Sequence, residues 1–478
     1  MARWGAVAAV AAAALVLAAP ASAAIPPALT ATGSCSTDTT APASYVFCDD
    51  GVPNAGGLVP NLTGAGAVTV PAKYGGDGFT GLPAQAADAA TVPGADPTGK
   101  VALDVDISYP ASGAGPFPLL VFMHGCCSGD KTSWESKDTP GTRFDAGGEK
   151  WHYNNAWFAS RGYVVINYTA RGFVNGQNNG STGQTQLDSR KYEINDYQDL
   201  SCQVTQLFNG SATLPDINPS AVVPTGGSYG GGFAWLALTD PQWDCATEGA
   251  PGTDMSLAAA APRYGWTDLV HSLVPTGAHF GDPGNLPDFN GCDSGPIQLD
   301  GGACPSPQTP YGIPKRSILG ALFASGTTGV PPGTSHTTFA PDITTAFTCL
   351  MGPEAGLSTP ACAQIPSILA EFLRDRSAYY QNDFFDHVDA GDPGYAVPVY
   401  DAATFTDPLF PAVENRRMIN RLQAVDPNYP IQAYYGDYQH FVQNKAKVWA
   451  DVCGADHHRC NNADYPGTTP ADFSAAPA

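Results

Sequence analysis

Ser228 lies within a run of small residues, Gly226-Gly227-Ser228-Tyr229-Gly230, that has the pattern Gly-x-Ser-x-Gly. The apolar stretch AVVPTGG precedes the serine, and the helical pattern YGGGFAWLALTD follows it. A serine on a tight turn between a strand and a helix adopts a strained backbone conformation, needs small neighbours, and exposes its hydroxyl above a sheet. The pattern therefore predicts that Ser228 is a nucleophile on such a turn.

A serine hydroxyl attacks a carbonyl efficiently only when a base takes its proton. His440 follows the strand pattern IQAYYGD after a short loop, and we predict that it is this base. Asp407, in TFTDPLFP, ends the preceding strand pattern and is the predicted acid that orients the imidazole. The alternatives are His457 or His458 for the base, and Asp401, inside the strand pattern, for the acid.

The oxyanion that forms when a serine attacks a carbonyl needs two preset hydrogen-bond donors. The backbone N–H of Tyr229, the residue after the nucleophile, is the first expected donor. The second is expected from the loop that follows the apolar run FPLLVFMHG, which makes the N–H of Cys126 in the sequence HGCC the candidate.

The elements that must position these residues alternate between strand and helix patterns from residue 101 onward. Continuous apolar strand patterns, such as FPLLVFMHG and YVVINYTARG, are typical of strands buried on both faces, whereas the alternating VALDVDISY predicts a half-buried strand. KYEINDYQDLSCQVTQLF predicts an amphipathic helix. The alternation indicates an α/β fold with a mostly parallel sheet between helices.

This alternation is interrupted once. We expect a first part of the core at residues 101–262, a mostly helical cap inserted at 263–396, and a second part of the core at 397–452. Residues 24–100 predict an irregular N-terminal segment, and residues 453–478 a C-terminal tail.

The N-terminus has the features of an export signal. Residues 1–23 hold one early positive charge at Arg3, an alanine-rich apolar run and the ending Ala21-Ser22-Ala23, which is the pattern of a secretory signal peptide. The 12 cysteines fit an oxidising compartment, and four pairs lie close in sequence, which favours local disulfides. These pairs are Cys35 with Cys48, Cys292 with Cys304, Cys349 with Cys362, and Cys453 with Cys460. We therefore expect a secreted protein without membrane insertion.

The charge excludes several classes of partner. The chain has 22 basic and 44 acidic residues, a net charge of −22, so nucleic acid and anionic membranes are not expected partners. No Cys-x-x-Cys pair or metal-spaced histidine pair is present, and we expect neither a metal nor an organic cofactor. Calcium at the Asp-rich segment GDPGNLPDFNGCDSGPIQLDGG is a weaker alternative, because such segments are more often solvated loops.

Several motifs resemble one branch of the α/β-hydrolases. RGYVVINYTARGFVNGQNNGSTG, YEINDYQDL, GGSYGGG and APRYGWTDLVHSLVPTGAHF are similar to segments of the X-prolyl dipeptidyl-peptidase and cocaine-esterase-like enzymes. The resemblance covers about residues 101–280 and, more weakly, 397–452, and it implies the α/β-hydrolase fold with Ser228, Asp407 and His440 as the triad.

Two features depart from that branch. Only 38 residues follow His440, so we expect no counterpart of the C-terminal β-sandwich of those enzymes. HGCC stands where those enzymes supply a tyrosine hydroxyl, and it instead resembles the His-Gly-Cys motif of esterases and polyhydroxyalkanoate depolymerases.

The sequence thus predicts a secreted serine hydrolase that cleaves a small ester or peptide substrate through an acyl-enzyme. The alternatives are a proline-specific dipeptidyl-peptidase, an acyltransferase, and a non-catalytic binding protein on a hydrolase fold.

Overall fold

The computed structural model describes a large part of the chain between residues 34 and 440. The described residues are 34–39, 43–49, 68–70, 101–127, 129–136, 153–174, 180–181, 183–245, 254–275, 313–328, 337–353, 359–363, 365–436 and 440. The predicted signal peptide, the C-terminal tail and the Asp-rich segment lie outside them.

Thirteen strands are found in the described residues. They are β1 Ser34–Asp38, β2 Tyr45–Asp49, β3 Val68–Val70, β4 Val101–Leu103, β5 Val105–Pro110, β6 Phe117–Met123, β7 Val164–Tyr168, β8 Ile217–Gly227, β9 Gln242–Asp244, β10 Asp254–Ser256, β11 Ala261–Arg263, β12 Val399–Thr404 and β13 Ile431–Gly436.

The same residues contain nine α-helices. They are α1 Asn155–Ala159, α2 Asn195–Asn209, α3 Tyr229–Leu238, α4 Leu269–Leu273, α5 Arg316–Thr328, α6 Pro341–Met351, α7 Ile365–Arg376, α8 Asn382–Ala390 and α9 Ala412–Val425. No helix in the described ranges is long and apolar enough to cross a bilayer.

One sheet of nine strands forms the centre of the molecule, in the order β1-β2-β5-β7-β6-β8-β11-β12-β13. The pairs from β7 to β13 are parallel, while β1, β2 and β5 pair antiparallel at one side. Buried apolar residues of the strands and surrounding helices form two clusters, a large one and a smaller one that contains Leu120, Phe122 and Val165. This is the α/β-hydrolase fold that the sequence predicted. The prediction of an irregular segment at residues 24–100 was wrong for β1 and β2, because these strands extend the sheet beyond β5.

The order of the central strands determines where a site can form. From β6 the chain crosses to β7 on one side, and it then returns to β8 on the other side of β6. Ligands of open α/β sheets bind beyond the carboxyl ends of the strands at such a switch point. The residues after β6 and β8, which include Cys126 and Ser228, lie there.

Two predictions about burial were wrong. Strand β5 is buried throughout rather than on one face, because it lies between β2 and β7. Its Asp106, together with Asp104, pairs with the buried Lys131 at 2.8 and 2.6 Å. Helix α2 is buried nearly all round rather than on one face, and its Asp196 accepts hydrogen bonds from the buried Arg171 outside the helix.

Four disulfides join described cysteines. The predicted pairs Cys35–Cys48 and Cys349–Cys362 are confirmed. Two further disulfides, Cys202–Cys245 and the adjacent pair Cys126–Cys127, were not predicted. The other two predicted pairs lie outside the described residues.

The region predicted as the cap follows β11. Helices α4 to α8 lie between β11 and β12 in the chain, although these two strands are neighbours in the sheet. Residues 276–312 of this region are not among the described residues, and the description resumes at Ile313.

Candidate active site

Ser228 occupies a strained turn between β8 and α3. Its φ of 59° and ψ of −113° lie in a region that residues with a side chain rarely adopt, at a cost of about 1–3 kcal/mol. Close packing enforces the turn: a Cβ on Gly230 would collide with the carbonyl of Met123, and one on Gly231 with the carbonyl of Arg263. The glycines are thus required because α3 begins directly against the neighbouring strands.

Three predicted residues from distant parts of the chain meet at this turn. The Nε2 atom of His440 lies 2.8 Å from the Oγ atom of Ser228, and its Nδ1 atom lies 2.7 Å from Oδ2 of Asp407. All three side chains are buried, with 6%, 7% and 4% of the surface of His440, Ser228 and Asp407 exposed. The hydrogen bonds therefore form one continuous chain that is largely shielded from water.

The loop around Asp407 fixes the carboxylate. Its Oδ1 atom accepts hydrogen bonds from the backbone N–H groups of Leu409 at 2.7 Å and Phe410 at 2.9 Å. The second oxygen, Oδ2, faces His440. Asp407 lies three residues beyond the end of β12, so the loop rather than the strand orients it.

Two aromatic rings contact the imidazole of His440. The ring centroids of Tyr264 and Phe410 lie 5.5 and 5.4 Å from that of the histidine, and both contacts are steeply inclined. The two rings restrict the imidazole to the orientation in which it bridges Asp407 and Ser228.

The alternative acid, Asp401, has a different environment. Its Oδ1 atom accepts a hydrogen bond from Nδ2 of Asn415 at 2.8 Å, and burial raises the pKa of its carboxyl to about 7. The histidine bond goes to Asp407 instead. The alternative bases His457 and His458 lie outside the described residues.

The two predicted oxyanion donors lie on either side of Ser228. Tyr229 is the first residue of α3, and the first N–H groups of a helix have no partner within the helix. Cys126 follows Gly125, where an added Cβ would lie 3.7 Å from the Cβ of Ser228. Cys126, Tyr229 and Ser228 border the same cavity.

His124 holds the Cys126 loop to the sheet. Its Nε2 atom accepts a hydrogen bond from the N–H of Ala170 at 3.0 Å, so the proton is on Nδ1, which donates to the carbonyl of Gly125 at 2.8 Å. Burial lowers the pKa of this imidazole to about 4, and the ring is therefore neutral at pH 7. The sequence identified His124 only as part of a motif, and its role as an anchor depends on contact with the end of β7.

Sequence reasoning also missed the cluster that holds Tyr229. The phenol donates to Oε1 of Glu193 at 3.0 Å and accepts from the N–H of Asp188 at 3.1 Å, and its oxygen lies 2.8 Å from Oγ1 of Thr185. All four residues are buried. No local pattern indicated this cluster, because Glu193 is one of several polar residues in YEINDYQDL.

A large cavity opens above Ser228. It has an empty volume of about 890 Å³ including its mouth, and its walls come from α4, α5, α6 and α7 as well as from the sheet end. The walls are almost entirely aliphatic and aromatic, with Trp266, Phe339 and Phe410 among them. The cap region thus supplies most of the surface that a bound molecule would touch.

Comparison with known proteins gives one family match. Residues 98–285 match the family model of X-Pro dipeptidyl-peptidase (S15 family). No match to a curated protein was found.

Several solved structures are similar at low identity. The acylaminoacyl peptidase of Pyrococcus horikoshii is 13% identical over 75% of this chain and 37% of its own, with a TM-score of 0.32. An acetyl xylan esterase from Paenibacillus is 13% identical over 91% of this chain and 87% of its own, with a TM-score of 0.32. This chain thus spans little more than a third of that peptidase.

The sheet order and the matched region define the α/β-hydrolase class of fold. Within this class, the part from residue 98 to 285 is similar to the X-Pro dipeptidyl-peptidase (S15) family, the branch that the sequence motifs resembled.

Proposed function

We propose that the chain is an exported hydrolase that cleaves a carboxylic ester or amide with Ser228, His440 and Asp407 as its catalytic triad. One observation supports this assignment above all: the serine oxygen, the imidazole and the carboxylate form a hydrogen-bond chain with distances of 2.8 and 2.7 Å. The strained turn at Ser228 adds to this support.

The reaction follows from these contacts. His440 with its proton on Nδ1 accepts the proton of Ser228 at Nε2 while Oγ bonds to the carbonyl carbon of the substrate. Asp407 stabilises the imidazolium that results. The tetrahedral intermediate collapses as its bond to the leaving group breaks and Nε2 returns the proton to the departing oxygen or nitrogen.

Water completes the cycle. His440 takes a proton from a water molecule, which attacks the acyl-enzyme; the bond to Oγ breaks, and Ser228 recovers its proton. The backbone N–H groups of Tyr229 and Cys126 bind the oxyanion during both acylation and deacylation. Loss of one such donor typically lowers the rate by about 10²–10³.

The test uses an active-site probe and a panel of substrates. We expect a fluorophosphonate to label wild-type protein at Ser228, as located by peptide mass spectrometry, and to leave folded Ser228→Ala unlabelled. The rate at which Ser228→Ala hydrolyses p-nitrophenyl esters should be lower than that of the wild type by a factor of about 10⁴ or more. Full activity in this variant would exclude the proposal.

The family match favours a second candidate, cleavage after an X-Pro dipeptide. The same panel separates the two, since Gly-Pro p-nitroanilide reports peptidase activity and p-nitrophenyl esters report esterase activity. The higher kcat/KM identifies the preferred substrate.

Export is part of the proposal. The signal-like pattern at residues 1–23 supports it, and the disulfides among the described cysteines are consistent with an oxidising compartment. N-terminal sequencing of protein recovered from the medium should begin at Ala24 or Ile25. A cell-retained protein that keeps its first residues would contradict this part.

A further inference from the structure

We propose that the cavity above Ser228 binds the acyl chain of the substrate, and that the preferred substrates are esters of medium-length, uncharged fatty acids. This inference rests on the proposed triad and names the substrate class of that site. The chemistry of the cavity walls, the side of Ser228 on which the cavity lies, and the depth of the cavity support it.

The chemistry of the walls excludes a charged ligand. None of the described lining residues carries a charge, and apart from Ser228 and the disulfide-bonded Cys126 and Cys127 they are aliphatic or aromatic. A dipeptide with a free N-terminus would bring an ammonium group into these walls without a partner, which is strongly unfavourable. A hydrocarbon chain gains free energy from the same burial.

The position of the cavity assigns it to the acyl side. Ser228 and both proposed oxyanion donors line it, whereas His440 does not belong to the lining residues that the structure describes. The leaving group must face His440, because the imidazole returns the proton to it. The group that stays on the serine therefore points away from the histidine and into the cavity.

Helix α5 gives the depth of the cavity. At Gly326 a Cβ would lie 3.1 Å from the Cβ of Cys127, so this end of the helix is next to the site. Leu319, which also lines the cavity, is seven residues earlier, or about 10 Å along the helix axis. Met351 marks the same far end, since its Cε atom is 3.5 Å from a Cβ built on Gly320. The cavity is thus deep enough to hold an acyl chain much longer than an acetyl group.

An aromatic cluster makes up the middle of one wall. The ring of Phe323 stacks on those of Phe339 and Phe347 at centroid distances of 4.9 and 3.9 Å. These three residues come from two cap helices and the segment between them, so the wall exists only when the cap region is folded over the sheet. The acyl chain of a substrate would contact such packed rings along its whole length.

The chain-length dependence of hydrolysis tests the proposal. We expect kcat/KM for p-nitrophenyl acetate, butyrate, hexanoate and octanoate to rise by up to about fourfold for each added methylene. Leu319→Trp, which fills the far end, should lower kcat/KM for octanoate by about tenfold or more and leave acetate within about twofold. Ala321→Trp, at an exposed position of the same helix, is the matched control and should behave as wild type.

A second variant covers the case in which Leu319→Trp does not fold. Leu322→Gln places an amide in the wall with little change in volume, and it should likewise lower octanoate turnover more than acetate turnover. A flat chain-length profile, or a preference for Gly-Pro p-nitroanilide, would overturn the inference while fluorophosphonate labelling of Ser228 upholds the proposed function. Absence of labelling at Ser228 would overturn both.

Discussion

The Nζ atom of Lys315 donates a hydrogen bond to the carbonyl oxygen of Leu409 at 2.6 Å, and the N–H of Leu409 donates in turn to the carboxylate of Asp407 at 2.7 Å. Lys315 immediately precedes α5, which forms a wall of the cavity, while Leu409 belongs to the loop that orients the acid. Burial lowers the pKa of the lysine, and the charges of Asp407 and Glu414 oppose that change. One side chain thus joins the cap region to the proposed triad.

Removing this link should affect both parts. Lys315→Met keeps the aliphatic stem but leaves the Leu409 carbonyl without its donor, so we expect a loss of about 1–2 kcal/mol in unfolding free energy and a several-fold lower kcat/KM for octanoate. Urea unfolding and steady-state kinetics measure the two effects. Lys315→Arg, which retains a charged donor, should be milder; equal effects of the two variants would contradict the role of this hydrogen bond.

The two candidate acids should differ sharply in their variants. Asp407→Asn loses the carboxylate that stabilises the imidazolium and favours the wrong tautomer of His440, so kcat should fall by about 10³–10⁴. Asp401→Asn removes a carboxyl that bonds to Asn415 away from the histidine, and kcat should stay near wild type. Steady-state kinetics at pH 8 decides between them, and the reverse ranking would assign the acid role to Asp401.

His124 should make the fold sensitive to acid. Its folded pKa of about 4 lies below the ordinary value of 6.5, so the unfolded chain binds a proton first as the pH falls. Its contribution, up to about 3 kcal/mol, is present above pH 6.5 and is lost progressively between about 6.5 and 4. In His124→Gln, whose amide can still accept from Ala170, the unfolding free energy should fall less over this range in urea titrations.

Asp401 provides a control, because its contribution to stability should depend on pH in the opposite direction. Its folded pKa of about 7 lies above the ordinary value of 3.8, so its contribution is present below pH 3.8 and is lost as the pH rises toward 7. Asp401→Asn should therefore gain stability relative to wild type at pH 8 and not at pH 4. Identical shifts at the two pH values would show that this carboxyl is not perturbed by burial.

The disulfides Cys202–Cys245 and Cys349–Cys362 close loops of different length and should contribute unequally to the free energy of unfolding. Cys202 and Cys245 are 43 residues apart in sequence, and Cys349 and Cys362 only 13. Because a cross-link restricts the unfolded chain more when its loop is longer, replacing the first pair with alanines should cost about 4 kcal/mol and the second about 3 kcal/mol. Thermal unfolding of the two double variants measures the difference, and a larger loss from the shorter loop would contradict it.

The fold was predictable from the sequence to the extent that local pattern determines it. The apolar run FPLLVFMHG became β6, because burial on both faces of a strand leaves an unbroken apolar run in the residues. The pattern misled at β5 and α2. Polar residues of both are buried and paired with partners far along the chain, as Asp106 is with Lys131 and Asp196 with Arg171, and no local period reports that pairing.

The sequence by itself determined the strand-turn-helix context of Ser228 and the chain order in which Asp407 and His440 follow. Glycines are required where a helix begins against strands, and this requirement is visible in the residues themselves. Only the tertiary structure decided which carboxylate faces His440, that His124 and Glu193 hold the loops around Ser228, and that helices of the cap region form an apolar wall above it. The physical reason is that these contacts join residues tens to hundreds of positions apart, and the order of strands in the folded sheet alone brings them together.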